Sequence, residues 1–257
     1  MTYCVAIKVS RGIVFASDSR TNAGVDYIST YSKMYTFDLP DDRVIVLLSS
    51  GNLATTQAVI NCIKRDIEDD APVSLKSVHY LYDAANYIGK LSQEYQHEHE
   101  LALKHSNISP EASFILGGQI HGHEQEIYLI YPQGNYITAS EETPYLQIGE
   151  TKYGKPILDR VVHASTSLED AARCALVSLD STMRSNISVG PPLELAICEH
   201  NDFKITRYLR LDYGTPFYNS LQEGWNDGLR RAFDLLPRFE WEQPTLVKES
   251  EKLPGSN

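Results

Sequence analysis

A threonine at position 2 could act as both nucleophile and base if its own α-amine were free. Thr2 follows Met1 and opens an alternating segment, residues 3–9. A threonine hydroxyl is a weak nucleophile until a base removes its proton. An α-amine, with a pKa of about 7.7–8.0, is a better base at neutral pH than a lysine amine at about 10.4. Loss of Met1 would therefore place a nucleophile and a general base on one residue.

Three further residues could support this nucleophile. Lys33 could supply a cation that lowers the pKa of the Thr2 amine, and Asp18 could hold the Lys33 ammonium in place. Gly51 follows an apolar run and precedes a helical pattern, so its main-chain N–H could stabilise the oxyanion of a tetrahedral intermediate. Each residue also has an ordinary explanation, as a strand end, a solvated lysine or a helix-entry glycine. The pattern alone leaves both interpretations open.

The position of Asp18 relative to Thr2 depends on the loop between the first two strands. Segments 3–9 and 13–17 are both apolar enough to form strands. We predict a three-residue loop between them with Gly12 in the left-handed region, which places Asp18 on the face of Thr2. A two-residue loop would place it on the opposite face, so the catalytic interpretation requires the longer loop.

The rest of the chain is predicted to alternate between runs of strands and runs of helices. The polar segment 21–32 predicts a loop, and the polar segment from Pro237 predicts an extended or disordered tail. Further strands are predicted at 33–37, 43–49, 113–122, 126–131, 135–139, 146–149, 194–199 and 204–211, and helices at 52–69, 74–104, 152–162, 167–183 and 217–236. This order favours an α+β layered domain over a doubly wound parallel sheet.

The composition limits which classes of partner and which cellular compartment we expect for this protein. The formal net charge of −11 argues against a nucleic-acid or anionic-membrane partner, because both require clustered Lys and Arg. The four cysteines are far apart, without a CxxC pair, and indicate a reducing compartment. With neither a signal-peptide pattern nor a membrane-length apolar run, we expect a cytoplasmic protein.

Metal and cofactor sites are not expected. His97 and His99 lie two apart on a predicted helix, and His121 and His123 flank a predicted turn. Neither pair has a third ligand nearby in the sequence. Because the chain also lacks a phosphate loop, a dinucleotide fingerprint and a GxSxG elbow, we predict that it uses no cofactor.

Taken together, the motifs resemble the β-type subunits of the proteasome. The stretches that carry the likeness to the Anbu group of bacterial, proteasome-related subunits are VFASDSRTNAGVDYIST, SSGNLATTQ and QIGETKYGKPILDR. The resemblance covers about residues 2–212. It implies an N-terminal-nucleophile hydrolase with a four-layer αββα sandwich, in which helices flank two antiparallel sheets.

The resemblance also assigns roles. It implies that Thr2 is the nucleophile, that Asp18 and Lys33 tune it and that Gly51 is the oxyanion donor. It further implies a peptide or amide substrate and assembly of identical subunits into a ring or spiral. Residues 1–212 would form the hydrolase domain, and residues 213–257 a C-terminal helix and polar tail that could extend the subunit contacts.

The sequence departs from the proteasome pattern at three places. Lys33 lies one position short of the usual spacing, and Glu150 stands where proteasome β subunits have a serine. An Asp-x-x-Ser element aligns with Ser185–Ser188, so its aspartate is missing unless Asp180 substitutes. These changes leave three alternatives: a threonine peptidase, a ring-forming scaffold or peptide-binding protein with a vestigial site, and a small-molecule amidase or acyltransferase.

The sequence does not assign a single role to two features, the walls of the specificity pocket and the last helix. In the family the walls of the specificity pocket come from loops that here contain a mixed set: Arg20, Thr21, Tyr31, Val46 and Asn52. The last helix carries one apolar stripe, formed by Phe217, Leu221, Trp225, Leu229, Phe233 and Leu236. That stripe could pack on its own domain or clasp a neighbouring subunit.

Overall fold

The computed structural model describes residues 2–22, 28–103 and 108–242. In these ranges the strands are β1 (Tyr3–Val9), β2 (Gly12–Asp18), β3 (Arg20–Asn22), β4 (Ile28–Thr30), β5 (Met34–Thr36), β6 (Arg43–Gly51), β7 (Ala112–Ile120), β8 (Glu126–Ile130), β9 (Tyr136–Thr138), β10 (Tyr145–Gly149), β11 (Leu193–Glu199) and β12 (Arg207–Leu211). The helices are α1 (Leu53–Glu68), α2 (Leu81–Leu103), α3 (Lys155–Val161), α4 (Leu168–Ser185) and α5 (Pro216–Asp234).

Two antiparallel five-stranded sheets form the centre of the molecule. The first sheet has the strand order β10–β1–β2–β11–β12, and the second has the order β5–β6–β7–β8–β9. Helix α4 packs on β1 and β2 of the first sheet, while α2 packs on β7 and β8 of the second. The predicted α+β sandwich is therefore confirmed, with helices on the outer face of each sheet.

Three apolar cores separate the four layers. Alternation along β1 sends Tyr3 and Val5 toward the helices and Cys4 and Ala6 toward the second sheet. The middle core lies between the sheets and includes Phe15. A further core joins the second sheet to α1 and α2. Both faces of each sheet are thus covered, which fixes where the first residues of β1 lie.

The β1–β2 hairpin differs from the prediction. Val9 pairs with Gly12, so the turn contains only residues 10 and 11, and the predicted three-residue loop is wrong. Gly12 also pairs with Glu199 of β11, and a Cβ at Gly12 would clash with the carbonyl oxygen of Cys198. Glycine is needed here for the close approach of a third strand, not for a longer loop.

Other element boundaries also move. Strands β3 and β4 form a two-stranded ribbon inside the segment predicted as a loop. Helix α2 begins at Leu81 rather than near residue 74, because the Arg43 guanidinium binds the carbonyl oxygens of Leu75 (3.3 Å) and Val78 (2.8 Å). In the predicted tail, Glu240–Glu242 form a short 3-10 turn, and residues 243–257 lie outside the described part of the chain.

The start of α1 follows the prediction. The Asn52 side-chain oxygen accepts hydrogen bonds from the N–H groups of Ala54 (3.0 Å) and Thr55 (3.3 Å), which satisfies two donors of the first turn. Asn52 also binds the carbonyl oxygen of Ser109 through its amide nitrogen. This cap fixes the β6-to-α1 turn that contains Gly51. None of the described helices is both long and apolar enough to span a membrane.

Candidate functional site

A cleft of about 580 Å³ lies where β1 begins and β6 ends, and it contains three of the four predicted site residues. Thr2, Lys33 and Gly51 all line this cleft. Thr2 is only 9% exposed and Lys33 only 6%. The fourth residue, Asp18, is fully buried behind Lys33. Residues separated by up to 49 positions in sequence therefore meet at one place.

Asp18 and Lys33 form a buried ion pair. The Lys33 ammonium lies 2.8 Å from Asp18 Oδ1. Asp18 also accepts hydrogen bonds from the N–H of Tyr3 (3.0 Å) and the N–H of Gly190 (3.2 Å). Burial raises the pKa of Asp18 above its ordinary value, and the Lys33 ammonium and both N–H groups counteract part of that effect. The pair thus holds the ammonium at a fixed point of the cleft wall.

The short β1–β2 turn does not prevent this contact. Cys4 pairs with Ser17, and extending this register by one residue places Asp18 opposite Tyr3. A side chain perpendicular to the sheet at Asp18 would then lie on the face of Tyr3, opposite to the face of Thr2. Asp18 is the last residue of β2, however, and its carboxylate binds main-chain N–H groups on two sides. The prediction that this site requires a longer loop was wrong. Asp18 ends its strand and is held by these N–H groups, so its side chain does not have to follow the alternation of faces along the strand.

Arg20 links the ion pair to the segment before β11. Its carbonyl oxygen accepts a second hydrogen bond from the Lys33 ammonium, at 2.6 Å. Its guanidinium binds the carbonyl oxygen of Ile187 (2.8 Å) and the hydroxyl of Tyr213 (3.2 Å). A Cβ at Gly190 would meet this guanidinium, so a larger residue there would displace the Arg20 side chain from its present position. The Arg20 carbonyl oxygen therefore helps to fix the position of the Lys33 ammonium.

The main chain of Thr2 is held by the last residue of β10 and the residue after it. The Thr2 carbonyl oxygen accepts a hydrogen bond of 2.7 Å from the N–H of Glu150. Gly149 has a φ of +83° and lies so close to Thr2 that a Cβ would clash with the same carbonyl oxygen. The sequence alone assigned no role to Gly149. Its role in seating Thr2 is visible only once β1 and β10 pair.

Gly51 is confined in two ways. Its φ is +110°, in a region that L-residues with side chains rarely adopt, and a Cβ would clash with the carbonyl oxygen of Glu111. It ends β6, directly before the capping residue Asn52. A glycine is therefore needed to expose the main chain at this wall of the cleft.

Glu150, which departs from the proteasome pattern, contacts the side chains of Asn186 and Lys152. The Glu150 carboxylate accepts a hydrogen bond from the side-chain nitrogen of Asn186 at 3.0 Å and lies 3.3 Å from the Lys152 ammonium. Asp180 instead binds Arg184 (3.0 Å) and Gln222. Asp180 thus points toward α5 and does not replace the missing aspartate. Instead, the side chains of Glu150 and Asn186 bind each other next to the main chain of Thr2.

The walls of the cleft only partly match the expected set. Thr21 and Asn52 line it, whereas Tyr31 is 42% exposed and Val46 is fully buried between the sheets. Sequence reasoning missed most of the lining. The additional lining residues are Ser32, Tyr35, Ser49, Ser50, Leu53, Ala54, Thr56, Ile108 and Gly149. Small, uncharged polar side chains predominate, and the ion-paired Lys33 is the one charged side chain among the lining residues that the structure describes.

The described residues contain no group of three or more His, Cys, Asp or Glu side chains placed to hold a metal ion. The four cysteines are free and buried. The groups at the cleft that could take part in chemistry include the Thr2 hydroxyl, the Asp18–Lys33 ion pair and the main chain at Gly51.

Comparison with known proteins defines the family. Residues 2–198 match the proteasome subunit family. The chain therefore belongs to the proteasome subunit family. A comparison with curated proteins gave no significant match.

Solved structures of Anbu, the ancestral β subunit, are particularly similar. Anbu from Yersinia bercovieri is 43% identical with a TM-score of 0.87, and the match covers 93% of this chain and 98% of that one. The Anbu complex from Pseudomonas aeruginosa, described as a helical assembly, is 43% identical with a TM-score of 0.87, covering 95% of this chain and 99% of that one. The resemblance to the Anbu group is confirmed.

Proposed function

We propose that this protein is a threonine-type N-terminal-nucleophile hydrolase that cleaves peptide or other amide bonds. The carrying observation is that Thr2, Gly51 and an ion-paired Lys33 line one cleft, with Asp18 buried behind the lysine. Membership of the proteasome subunit family supports this assignment. The proposal requires that Met1 be removed, because the amine of Thr2 is otherwise part of a peptide bond.

The first half of the reaction forms an acyl-enzyme. The Thr2 Oγ attacks the carbonyl carbon of the substrate, while the α-amine of Thr2 takes the hydroxyl proton. The negative oxygen of the tetrahedral intermediate accepts a hydrogen bond from the Gly51 N–H. The C–N bond then breaks, and the α-ammonium gives its proton to the departing amine. The product is an ester between Thr2 and the acyl group.

The second half regenerates the enzyme. Water attacks the ester carbonyl with the α-amine of Thr2 as general base, and the C–O bond to Thr2 breaks as the hydroxyl regains a proton. The Lys33 ammonium, fixed by Asp18, favours the unprotonated form of the nearby amine through charge repulsion. The same residue thus acts as base in both halves.

The contacts around Glu150 favour a second candidate, a ring-forming scaffold or peptide-binding protein. Glu150 stands where the proteasome pattern has a serine, and it binds Asn186, the residue after the position of the missing aspartate. A carboxylate there, beside the Thr2 main chain, would stabilise the protonated amine, so that less of the amine would be free to act as a base at neutral pH. A third candidate, a small-molecule amidase or acyltransferase, shares the Thr2 mechanism and differs only in substrate. Profiling with peptides and small amides separates it from a peptidase.

Processing and acylation can be tested together. Methionine aminopeptidases remove Met before small residues, so we expect the intact mass of the purified protein to lack Met1. After treatment with a β-lactone probe, the adduct should map to the peptide that begins with Thr2. Retention of Met1 on most molecules contradicts the proposal. A free Thr2 that no amide, ester or β-lactone acylates would favour the scaffold.

We also propose that the protein assembles with copies of itself, and that residues 213–257 extend that contact. Helix α5 packs on α4, but among its residues only Tyr218 is fully buried. Large apolar side chains beyond it are exposed: Leu229 50%, Phe233 73%, Leu236 56% and Trp241 78%. Several large exposed apolar side chains on one helix and the segment after it are typical of an interface.

Exchanging two exposed residues of α5 tests the interface. We expect the double substitution Leu229→Ser and Phe233→Ser to reduce the mass of the particle in solution, because it removes apolar area without disturbing the packed half of the helix. Asn226→Ser on the same helix is the matched control and should leave the mass unchanged. Light scattering measures the mass, and thermal unfolding monitors the fold. An unchanged mass of the double variant would show that this surface is not the contact.

The proposed location is the cytoplasm. All four cysteines are buried free thiols, and none is paired in a disulfide. Such thiols suit a reducing compartment.

A further inference from the structure

Glu194 is a buried carboxylate that the proposed mechanism does not use. It is the second residue of β11 and is only 3% exposed. It pairs with Ser17 of β2 on one side and Arg210 of β12 on the other. Its neighbours Ala196 and Cys198 on the same face belong to the apolar core between the sheets. Burying a carboxylate there is costly, so its contacts must compensate.

Both oxygens of Glu194 accept hydrogen bonds from hydroxyl groups. Ser32 Oγ lies 2.7 Å from one oxygen, and Tyr208 Oη lies 2.6 Å from the other. Ser32 also accepts a hydrogen bond from the N–H of Met34 at 3.3 Å. Since Ser32 lines the cleft and directly precedes Lys33, Glu194 fixes the main chain from which Lys33 reaches Asp18.

The charge of Glu194 also acts on the site. Burial raises the pKa of the Cys4 thiol, the Asp18 and Glu194 carboxylates add to that rise, and the Lys33 ammonium opposes it. The charges of both carboxylates and of the ammonium therefore act on the same thiol. The other titratable groups that face Glu194 are Tyr35, Tyr208 and Arg210.

The described part of the buried site thus contains two carboxylates for one ammonium. Asp18 is paired directly with Lys33, and Glu194 has hydroxyl partners rather than a cation. Any positive charge that forms in the cleft would feel the remaining negative charge, because screening between buried groups is weak. The α-ammonium of Thr2 is such a charge.

We propose that Glu194 is a positioning residue of the Thr2 nucleophile: it orients Ser32 and Lys33, and its carboxylate counterbalances the cations of the cleft. This inference rests on the proposed hydrolase function. Its negative charge favours the protonated amine of Thr2, so the amine becomes a free base only at higher pH. Removal of that charge, with the shape retained, should therefore free the amine at lower pH.

The variant Glu194→Gln tests this directly. We expect the acidic limb of the pH profile for acylation by a β-lactone to move to lower pH by about half a unit or more. The maximal rate should fall, because Ser32 and Lys33 are held less firmly. A residue that only stabilises the fold would lower the amount of labelled protein without moving the profile.

Two matched variants separate charge from position. Glu199→Gln changes a carboxylate at the other end of the same strand, about 16 Å away, and should leave the profile unchanged. Ser32→Ala keeps the Glu194 charge but removes its link to Lys33, so it should lower the rate without moving the acidic limb. Thermal unfolding of each variant shows that the fold is retained.

The outcomes distinguish this inference from the function on which it rests. Labelled wild type with a Glu194→Gln profile that superimposes on it would overturn the role of Glu194 and leave the hydrolase intact. If Glu194→Gln does not fold, an unchanged rate in Ser32→Ala overturns the positioning role. Wild type that is not acylated at Thr2 would overturn both proposals.

Discussion

Replacing Thr2 with alanine is expected to reduce acylation by a β-lactone by about 10³-fold or more, to the level of non-specific labelling. The variant keeps the α-amine, the Asp18–Lys33 pair and the Gly51 wall but lacks the oxygen that forms the ester. Because Thr2 contributes no large apolar surface, thermal stability should change little. The measurement is the rate of adduct formation by intact mass at fixed pH and probe concentration.

Thr2→Ser is the matched variant for this experiment. It keeps a hydroxyl and an α-amine in the same positions, so labelling should persist at the N-terminus. Met1 removal does not confound the comparison, since alanine, serine and threonine are all small residues that permit it. Undiminished labelling of Thr2→Ala would place the reactive group elsewhere and rule out the proposed mechanism.

Local signals predicted the frame of the cleft. The alternation of residues 3–9, the apolar run that became β6 and the Asn52 cap each depend on residues close in sequence. These features place Thr2 at the start of a central strand and Gly51 before a helix. These signals are sufficient to predict the elements because strand alternation and helix capping depend only on residues a few positions apart in the sequence.

Registers and supports were not predictable in this way. The role of Gly12 depends on the carbonyl oxygen of Cys198, and the start of α2 depends on Arg43. Both partners are distant in sequence, so the local pattern suggested a glycine loop and an earlier helix start. Local propensity yielded to tertiary contacts in both cases.

The residues around the nucleophile show the same limit. The contact between Glu150 and Asn186 joins one departure from the proteasome pattern to the residue next to another, Ser185. Glu194 did leave a signal, as a charged residue on the otherwise apolar inward face of its strand. Only the meeting of β11 with the segment before β5 shows that it binds Ser32. Functional constraints here are carried by pairs that the sequence alone does not connect.

The buried ion pair gives the second large effect. Lys33→Met leaves the fully buried Asp18 carboxylate without its cation, and breaking a buried pair in this way costs about 3–5 kcal/mol. The hydrogen bonds from Tyr3 and Gly190 remain but cannot neutralise the charge. We therefore expect a large fall in the free energy of unfolding, measured by denaturant titration at fixed protein concentration, together with loss of acylation.

The double variant Lys33→Met with Asp18→Asn separates stability from chemistry. It removes both charges, so most of the lost stability should return, because replacing a whole buried pair is far less costly than breaking it. Acylation should remain absent, since no ammonium is left to favour the free amine of Thr2. Recovery of acylation along with stability would show that the pair serves only the fold. A double variant whose loss of stability equals the sum of the losses in Lys33→Met and Asp18→Asn measured singly would show that the two residues are not energetically coupled.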